Sequence, residues 1–168
     1  MQTGEDTMRI GIVSDSHGDV RVFEDMLAVP GAADAELWLH AGDHAADAET
    51  LRLLTEKTVV CVLGNCDYDE DGVYHETSAD VGGHRIFLAH GHLFRVEFGT
   101  ERLVAAAREA GADIAVYGHT HIAREERGGV TVLNPGSIAR PRDERRGSFM
   151  LLDLEEGAAP RVKLIRIG

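Results

Sequence analysis

Three alternating apolar runs, each closing in a polar turn, dominate the first 65 residues: MRIGIVSD from Met8, AELWLHAGD from Ala35 and TVVCVLGN from Thr58. Between them lie two stretches with helical spacing. The first carries Val22, Phe23, Met26 and Leu27, with Asp19 expected as its cap, and the second runs from Asp47 to Lys57. Parallel strands need a crossover between them, so strands alternating with helices predict a layered α/β sheet with parallel pairing. The second half reads differently. ETSADVGGHRIFLAHGH is expected to form a hairpin around Gly82 and Gly83, and a helix is expected from Thr100 to Ala110. Four short strand candidates follow, DIAVYGH, GGVTVLN, SFMLLDLE and RVKLIRI, with Gly128 and Gly129 marking a tight turn. That is more strands than one open sheet comfortably holds, which predicts two stacked sheets with helices outside.

A length of 168 residues, 43% of them hydrophobic, fits one domain, expected over residues 8–168. The opening MQTGEDT lacks an apolar period, so residues 1–7 are expected to form a flexible tail. No run approaches the roughly 18 apolar residues of a membrane span, and no secretory signal opens the chain. The expectation is a cytoplasmic protein without a membrane partner. Two cysteines, Cys61 and Cys66, are too few for a disulfide framework and agree with a reducing compartment. Cys61 lies inside a strand pattern and reads as a small buried hydrophobe. The formal net charge of −12 opposes a stable complex with nucleic acid. With lysine only at Lys57 and Lys163, the acid-rich surface is also one that stays soluble in concentrated salt.

The polar residues of interest stand where strand patterns give way to loops: Asp15 and His17, Asp43, Asn65, His90, then His119 and His121. Ligands bind outside the carboxyl ends of strands in α/β sheets, so these side chains can converge. Carboxylate, imidazole and amide oxygen suit borderline and hard divalent cations. The set exceeds the four ligands of a closed zinc site, and a carboxylate such as Asp43 can bridge two ions. Each piece alone is weak, since a strand-end histidine or aspartate is often a hydrogen-bonded structural residue. The spacing of His119 and His121, on one side of an extended segment, is harder to dismiss.

In this order DSH, GDH, GNCD, HGH and GHTH resemble the calcineurin-like metallophosphoesterase superfamily, and VLNPGSIARPR from Val132 to Arg142 looks like its YfcE-like small phosphodiesterase branch. No Walker loop, nucleophile elbow or Rossmann glycine pattern competes. The resemblance implies a four-layer αββα sandwich of two mixed β-sheets flanked by helices. It implies one divalent ion held by Asp15, His17, Asp43 and His121, and a second held by Asp43, Asn65, His90 and His119. Manganese is the first expectation, with Fe, Co, Ni or Zn as alternatives. The implied activity is hydrolysis of a small phosphodiester, a nucleotide among the candidates, by a metal-bridging hydroxide that Asp43, Asn65 and His90 help to hold. The alternatives are a phosphomonoesterase with the same ions and a non-catalytic scaffold like the retromer subunit of this fold. A homo-oligomer is compatible with either.

Many relatives of this superfamily carry histidine after the metal-binding asparagine, where Cys66 stands here. A thiol is a poor substitute for an imidazolium acid. Asn65, Cys66, His44 and His92 are the expected substrate contacts, with His92 behind the ligands and His44 equally readable as an exposed loop residue. His40 is expected in a core hydrogen bond, and His75 and His84 at the surface. Asn134 to Ser137 either shape the floor of the site or simply turn the chain. Arg140 and Arg142 can hold phosphate, although RDERR beside them favours a solvated loop.

Overall fold

The computed structural model describes residues 6–168. The chain begins with β1 (Met8–Val13), α1 (Arg21–Leu27), β2 (Leu37–His40), α2 (Asp47–Thr55) and β3 (Thr58–Cys61). The hairpin β4 (Glu76–Val81) and β5 (His84–Ala89) leads to α3 (Glu101–Glu109) and β6 (Ile114–Val116). Then come β7 (Ala123–Glu126), β8 (Thr131–Pro135), β9 (Ser148–Leu154) and β10 (Arg161–Arg166). They build two five-stranded sheets, ordered β10-β9-β1-β2-β3 and β4-β5-β6-β8-β7. Each has a parallel centre, β1 with β2 and β3, and β5 with β6 and β8. Antiparallel strands β9, β10, β4 and β7 complete them, so both sheets are mixed.

Strand alternation sorts side chains into layers. Ile10, Ile12, Leu37, Leu39, Ile86, Leu88, Ile114 and Val116 fill the space between the sheets. The opposite faces present Val13, Trp38 and Phe149 to Phe23 and Met26 of α1 and Leu51 of α2. On the other sheet Phe87, Ala115 and Val132 meet Leu103 and Ala107 of α3. The result is the expected four layers. The two parallel centres end at a shared edge, where Ile138 N–H donates to Ser14 O at 3.1 Å and His90 Nδ1 meets Ala41 O at 2.6 Å.

Several local expectations need correction. Asp19 does not cap α1: Val20 holds that position without a side-chain bond, and the Asp19 carboxylate accepts from Arg21 Nε at 3.4 Å. The second helix stops at Thr55 rather than Lys57, because Glu56 turns left-handed at φ 55°. Strand β7, AREE, was not anticipated, since it has no apolar alternation and is recruited at a sheet edge by its ladder with β8. His84 is buried rather than superficial; Nδ1 lies 2.5 Å from Asp113 Oδ2 and Nε2 3.0 Å from Glu155 O. Cys61 is only half-buried. His75 is exposed as expected. Of the expected tail, residues 1–5 lie outside the described residues, and Thr7 Oγ1 donates to Glu155 Oε1 at 2.5 Å.

Candidate metal centre

The residues singled out at the strand ends come together at the shared edge. Asp15, His17, Asp43 and His121 each offer a ligand atom within 4.8 Å of all the others. His17 Nε2 lies 3.2 Å from His121 Nε2, and His121 Nε2 lies 3.2 Å from Asp15 Oδ1. Beside them, Asn65 Oδ1 is 3.0 Å from both His90 Nε2 and His119 Nδ1. His90 Nε2 also stands 3.4 Å from Asp43 Oδ1, so Asp43 borders both groups.

Backbone geometry aims these side chains. Among the described residues, Asp15 (φ 55°), His17 (50°), Asp43 (56°), His44 (75°), His119 (69°) and His121 (60°) all occupy the left-handed region. Asp and His tolerate it better than most residues, yet it costs about 1–2 kcal/mol each and persists only where surroundings impose it. Two glycines admit the close approach: a Cβ at Gly64 would strike the Asp43 carboxylate, and one at Gly118 would strike Ser14 and Asp15.

Bonds behind the front atoms fix which atoms face inward. His90 Nδ1 is committed to Ala41 O and His121 Nδ1 to Arg140 O, each at 2.6 Å, leaving Nε2 for the centre. His119 presents Nδ1, while its Nε2 stands 3.6 Å from Glu97 Oε2. Asp15 Oδ2 accepts from Ser14 Oγ at 2.6 Å and from His119 N–H at 3.2 Å.

Two positioning carboxylates escaped sequence reasoning. Asp67, last residue of GNCD, accepts at Oδ1 from His44 and Ala45 N–H, both at 2.8 Å. Its Oδ2 accepts from Gly64 N–H at 2.7 Å and Asp43 N–H at 3.1 Å, so one side chain staples the loop after β2 to the loop after β3. Asp47, buried at the start of α2, accepts Gly18 N–H at 2.8 Å and holds His44 Nδ1 at 2.8 Å. Apart from the His44 imidazole, their partners are backbone N–H groups, which no residue spacing discloses. The only available signal was the D closing GNCD. The alternatives for Asn134 to Ser137 resolve toward the floor of the site: Ser137 Oγ donates to Asp15 O at 2.8 Å, and Asn134 Nδ2 to Gly118 O at 3.0 Å.

Around the centre, Cys66 is exposed, and its N–H donates to Asp43 Oδ1 at 2.9 Å. Burial, then the Asp43 charge, raises the thiol above its ordinary range. His44 is exposed at the rim, and so are Arg140 and Arg142. His92 is half-buried with its ring 5.4 Å from that of His90, and its Nδ1 is buried without a partner among the described residues. It stands beside the ligands rather than among them.

The chemistry of the centre fits divalent cations. Asp15 Oδ1 is fully buried, lacks a hydrogen-bond donor among the described residues and faces imidazole nitrogens. An uncompensated buried carboxylate oxygen is costly, and a cation is what such a ring of acceptors satisfies. Burial works against charging Asp43, but the His90 hydrogen bond and charge hold its carboxyl well below the usual carboxylate range, ready to ligate. Burial also opposes protonation of His90, yet Asp43 and Asp15 together raise it.

His40 is the expected core histidine: fully buried, with Nε2 2.9 Å from Ser16 Oγ and Nδ1 accepting Gly42 N–H at 3.2 Å. Burial lowers its pKa from 6.5 to about 4. Because the folded value is depressed, the unfolded chain binds the extra proton first. Stability is full above pH 6.5 and declines as pH falls toward 4, by up to about 3 kcal/mol. Urea unfolding at pH 7 and pH 4.5 checks this: wild type should lose about 2–3 kcal/mol more than His40→Asn, and equal losses would remove the assignment.

The sequence model described as the calcineurin-like phosphoesterase superfamily domain matches residues 8–157. A probable metallophosphoesterase, YsnB of Bacillus subtilis, is 37% identical over 153 residues, spanning 90% of this chain and 88% of its own. The phosphodiesterase YfcE of Escherichia coli is 31% identical over 169 residues, spanning 87% and 88%. Among solved structures, a conserved uncharacterised protein of Streptococcus pneumoniae superposes with a TM-score of 0.77 at 27% identity, covering 96% of this chain and 90% of that one. Zinc-bound Vps29 of Entamoeba histolytica superposes at 0.70 with 21% identity, covering 96% and 100%, a likeness of fold alone.

Proposed function

Because the chain belongs to the calcineurin-like phosphoesterase superfamily, we propose that it is a metal-dependent phosphodiesterase acting on a small phosphodiester at a two-ion centre. The observation that carries the reading is the unpartnered Asp15 Oδ1 at the middle of a complete set of Asp, Asn and His donors. Asp15, His17, Asp43 and His121 would hold one ion, and Asp43, Asn65, His90 and His119 the other. Such ions, when bound, supply an activated water at neutral pH and offset the charge that develops on phosphoryl oxygens. The chain's own part is to place their ligands. Asp67 and Asp47 set the loops, the Ala41 and Arg140 carbonyls turn His90 and His121 inward, and Asn65 presents its amide oxygen beside His90.

No protein nucleophile is required, because a metal-activated water would fill that role. Nor does Cys66 supply the proton that a histidine at its position could donate to a departing alkoxide. Substrates whose leaving group departs unaided therefore suit the site best. Cys66→Ala should leave turnover of an unactivated alkyl diester within about threefold of wild type, whereas loss of a general acid typically costs about 10²–10⁴-fold with such a leaving group. A collapse of turnover with metal still bound would overturn the vacated-acid reading.

A scaffold role would not require these buried carboxylates and imidazoles to converge. The deciding experiment strips metal from the protein, restores Mn, Fe, Co, Ni or Zn one at a time, and assays matched diesters and monoesters. Manganese is the first to try, since mixed nitrogen and oxygen donors accept it. Metal-dependent hydrolysis with diesters preferred is the expected result. Preference for the monoester would replace the diester assignment, and no hydrolysis with any metal would revive the scaffold.

A further inference from the structure

Behind His121 the chain turns back so that Arg140 is fixed against the ligand it supports. Its N–H donates to Ser137 Oγ at 2.7 Å, and its carbonyl accepts His121 Nδ1 at 2.6 Å. Ser137 Oγ is also tied to Asp15 O at 2.8 Å, and Arg142 N–H donates to His121 O at 3.0 Å. The Arg140 backbone is thus pinned to two of the three loops that carry the first ligand group, those of Asp15 and His121.

Its guanidinium, in contrast, is exposed and enters no ion pair among the described residues. Of the arginines around it, Arg146 pairs with Glu144 at 3.3 Å and Arg166 with Asp143 at 2.8 Å, while Arg142 and Arg145, like Arg140, enter no ion pair among the described residues. Through its carbonyl Arg140 stands directly behind His121, whose Nε2 lies 3.2 Å from His17 Nε2. On the other flank, Glu97 stands 3.6 Å from His119, so an acidic residue borders His119 and a basic one backs His121. A chain of formal charge −12 repels a phosphoester at long range, and a free guanidinium at the mouth offsets that locally.

We propose that Arg140 grips the non-bridging oxygens of a phosphoryl group at the centre, making it a substrate-binding residue; this rests on the phosphoesterase reading above. A planar fork of N–H donors matches two phosphoryl oxygens, and a pinned backbone leaves only the side chain to be ordered on binding.

The test measures binding of inorganic phosphate to metal-loaded wild type, Arg140→Ala and Arg140→Lys by calorimetry, alongside steady-state kinetics on an aryl diester. Arg140→Ala should weaken phosphate binding about tenfold and raise KM similarly, with kcat within threefold and metal stoichiometry unchanged; Arg140→Lys should recover part of the affinity. Phosphate affinity within twofold of wild type in Arg140→Ala overturns the proposal, as does a wild type that binds no phosphate. A fall in metal stoichiometry also overturns it, because the residue would then act by supporting His121. Arg140-dependent phosphate binding without hydrolysis of any ester would sink the enzymatic reading and leave this one standing.

Discussion

Asp15→Asn will cut metal-dependent phosphodiester hydrolysis by more than about 100-fold, the upper end of what changes behind metal ligands cost. The same change will nearly abolish the thermal stabilisation that metal confers through the first site. Asparagine is the informative substitution, because its Oδ1 can keep the bonds that Asp15 Oδ2 accepts from Ser14 Oγ at 2.6 Å and His119 N–H at 3.2 Å. What disappears is the charge and the buried Oδ1 that faces His121 Nε2 at 3.2 Å. An amide there points N–H groups at the place a cation would occupy.

Metal at about a thousand times its Kd stabilises the folded state by about 4 kcal/mol, and a chain of this size shifts its melting temperature by roughly 2–4 °C per kcal/mol. Each filled site should therefore add about 10 °C, about 20 °C for wild type, in which calorimetry should count two equivalents. The variant should bind one at most and melt, without metal, near the wild-type value. If Asp15→Asn kept both equivalents and its activity, Asp15 would be a loop cap and the centre would lie elsewhere.

The position of Asp15 at a shared edge was legible in the sequence for a physical reason: side chains that converge there project from strand ends, and strand ends are marked by apolar alternation giving way to polar turns. The same held for His17, Asp43, Asn65, His90, His119 and His121, which the fold gathers at one edge. The parallel centres and four layers were legible because crossovers and alternation dictate them. Strand β7 was not, since AREE has no apolar face and owes its conformation to the β8 ladder. His84 was misread because a histidine after two turn glycines looks exposed until Asp113 and Glu155, distant in sequence, fold over it. Asp19 was misread because its helix starts without any side-chain cap.

Asp67 shows the limit most clearly, and its removal should be the most damaging change to a residue that cannot itself touch either metal group's inward-facing atoms. Its two oxygens collect four backbone N–H groups, of His44 and Ala45 on one side and of Gly64 and Asp43 on the other. Bonds to a charged acceptor are worth about 1.5–3 kcal/mol each, but water can replace some of them at a half-buried site, so Asp67→Ala should cost about 3 kcal/mol in unfolding free energy. Activity should fall further than that loss alone implies, by about 100-fold in kcat/KM at a temperature where the variant remains folded. The reason is geometric: Asp43 and Asn65 sit on the two loops that the carboxylate joins, and a shift of one relative to the other moves Asp43 Oδ1 away from His90, now 3.4 Å distant. Asp67→Asn separates this from simple loss of bulk, because the isosteric amide must set N–H groups against one of the two donor pairs and so breaks two of the four bonds, weakening the joint while its remaining oxygen still reaches the loop after β2. It should lose the ion held by Asn65, His90 and His119 first, seen as a calorimetric stoichiometry falling from two toward one. An asparagine variant that retains wild-type metal binding and turnover would show that the staple is dispensable, and that the left-handed backbone at Asp43 and the close packing against Gly64 hold the loops unaided.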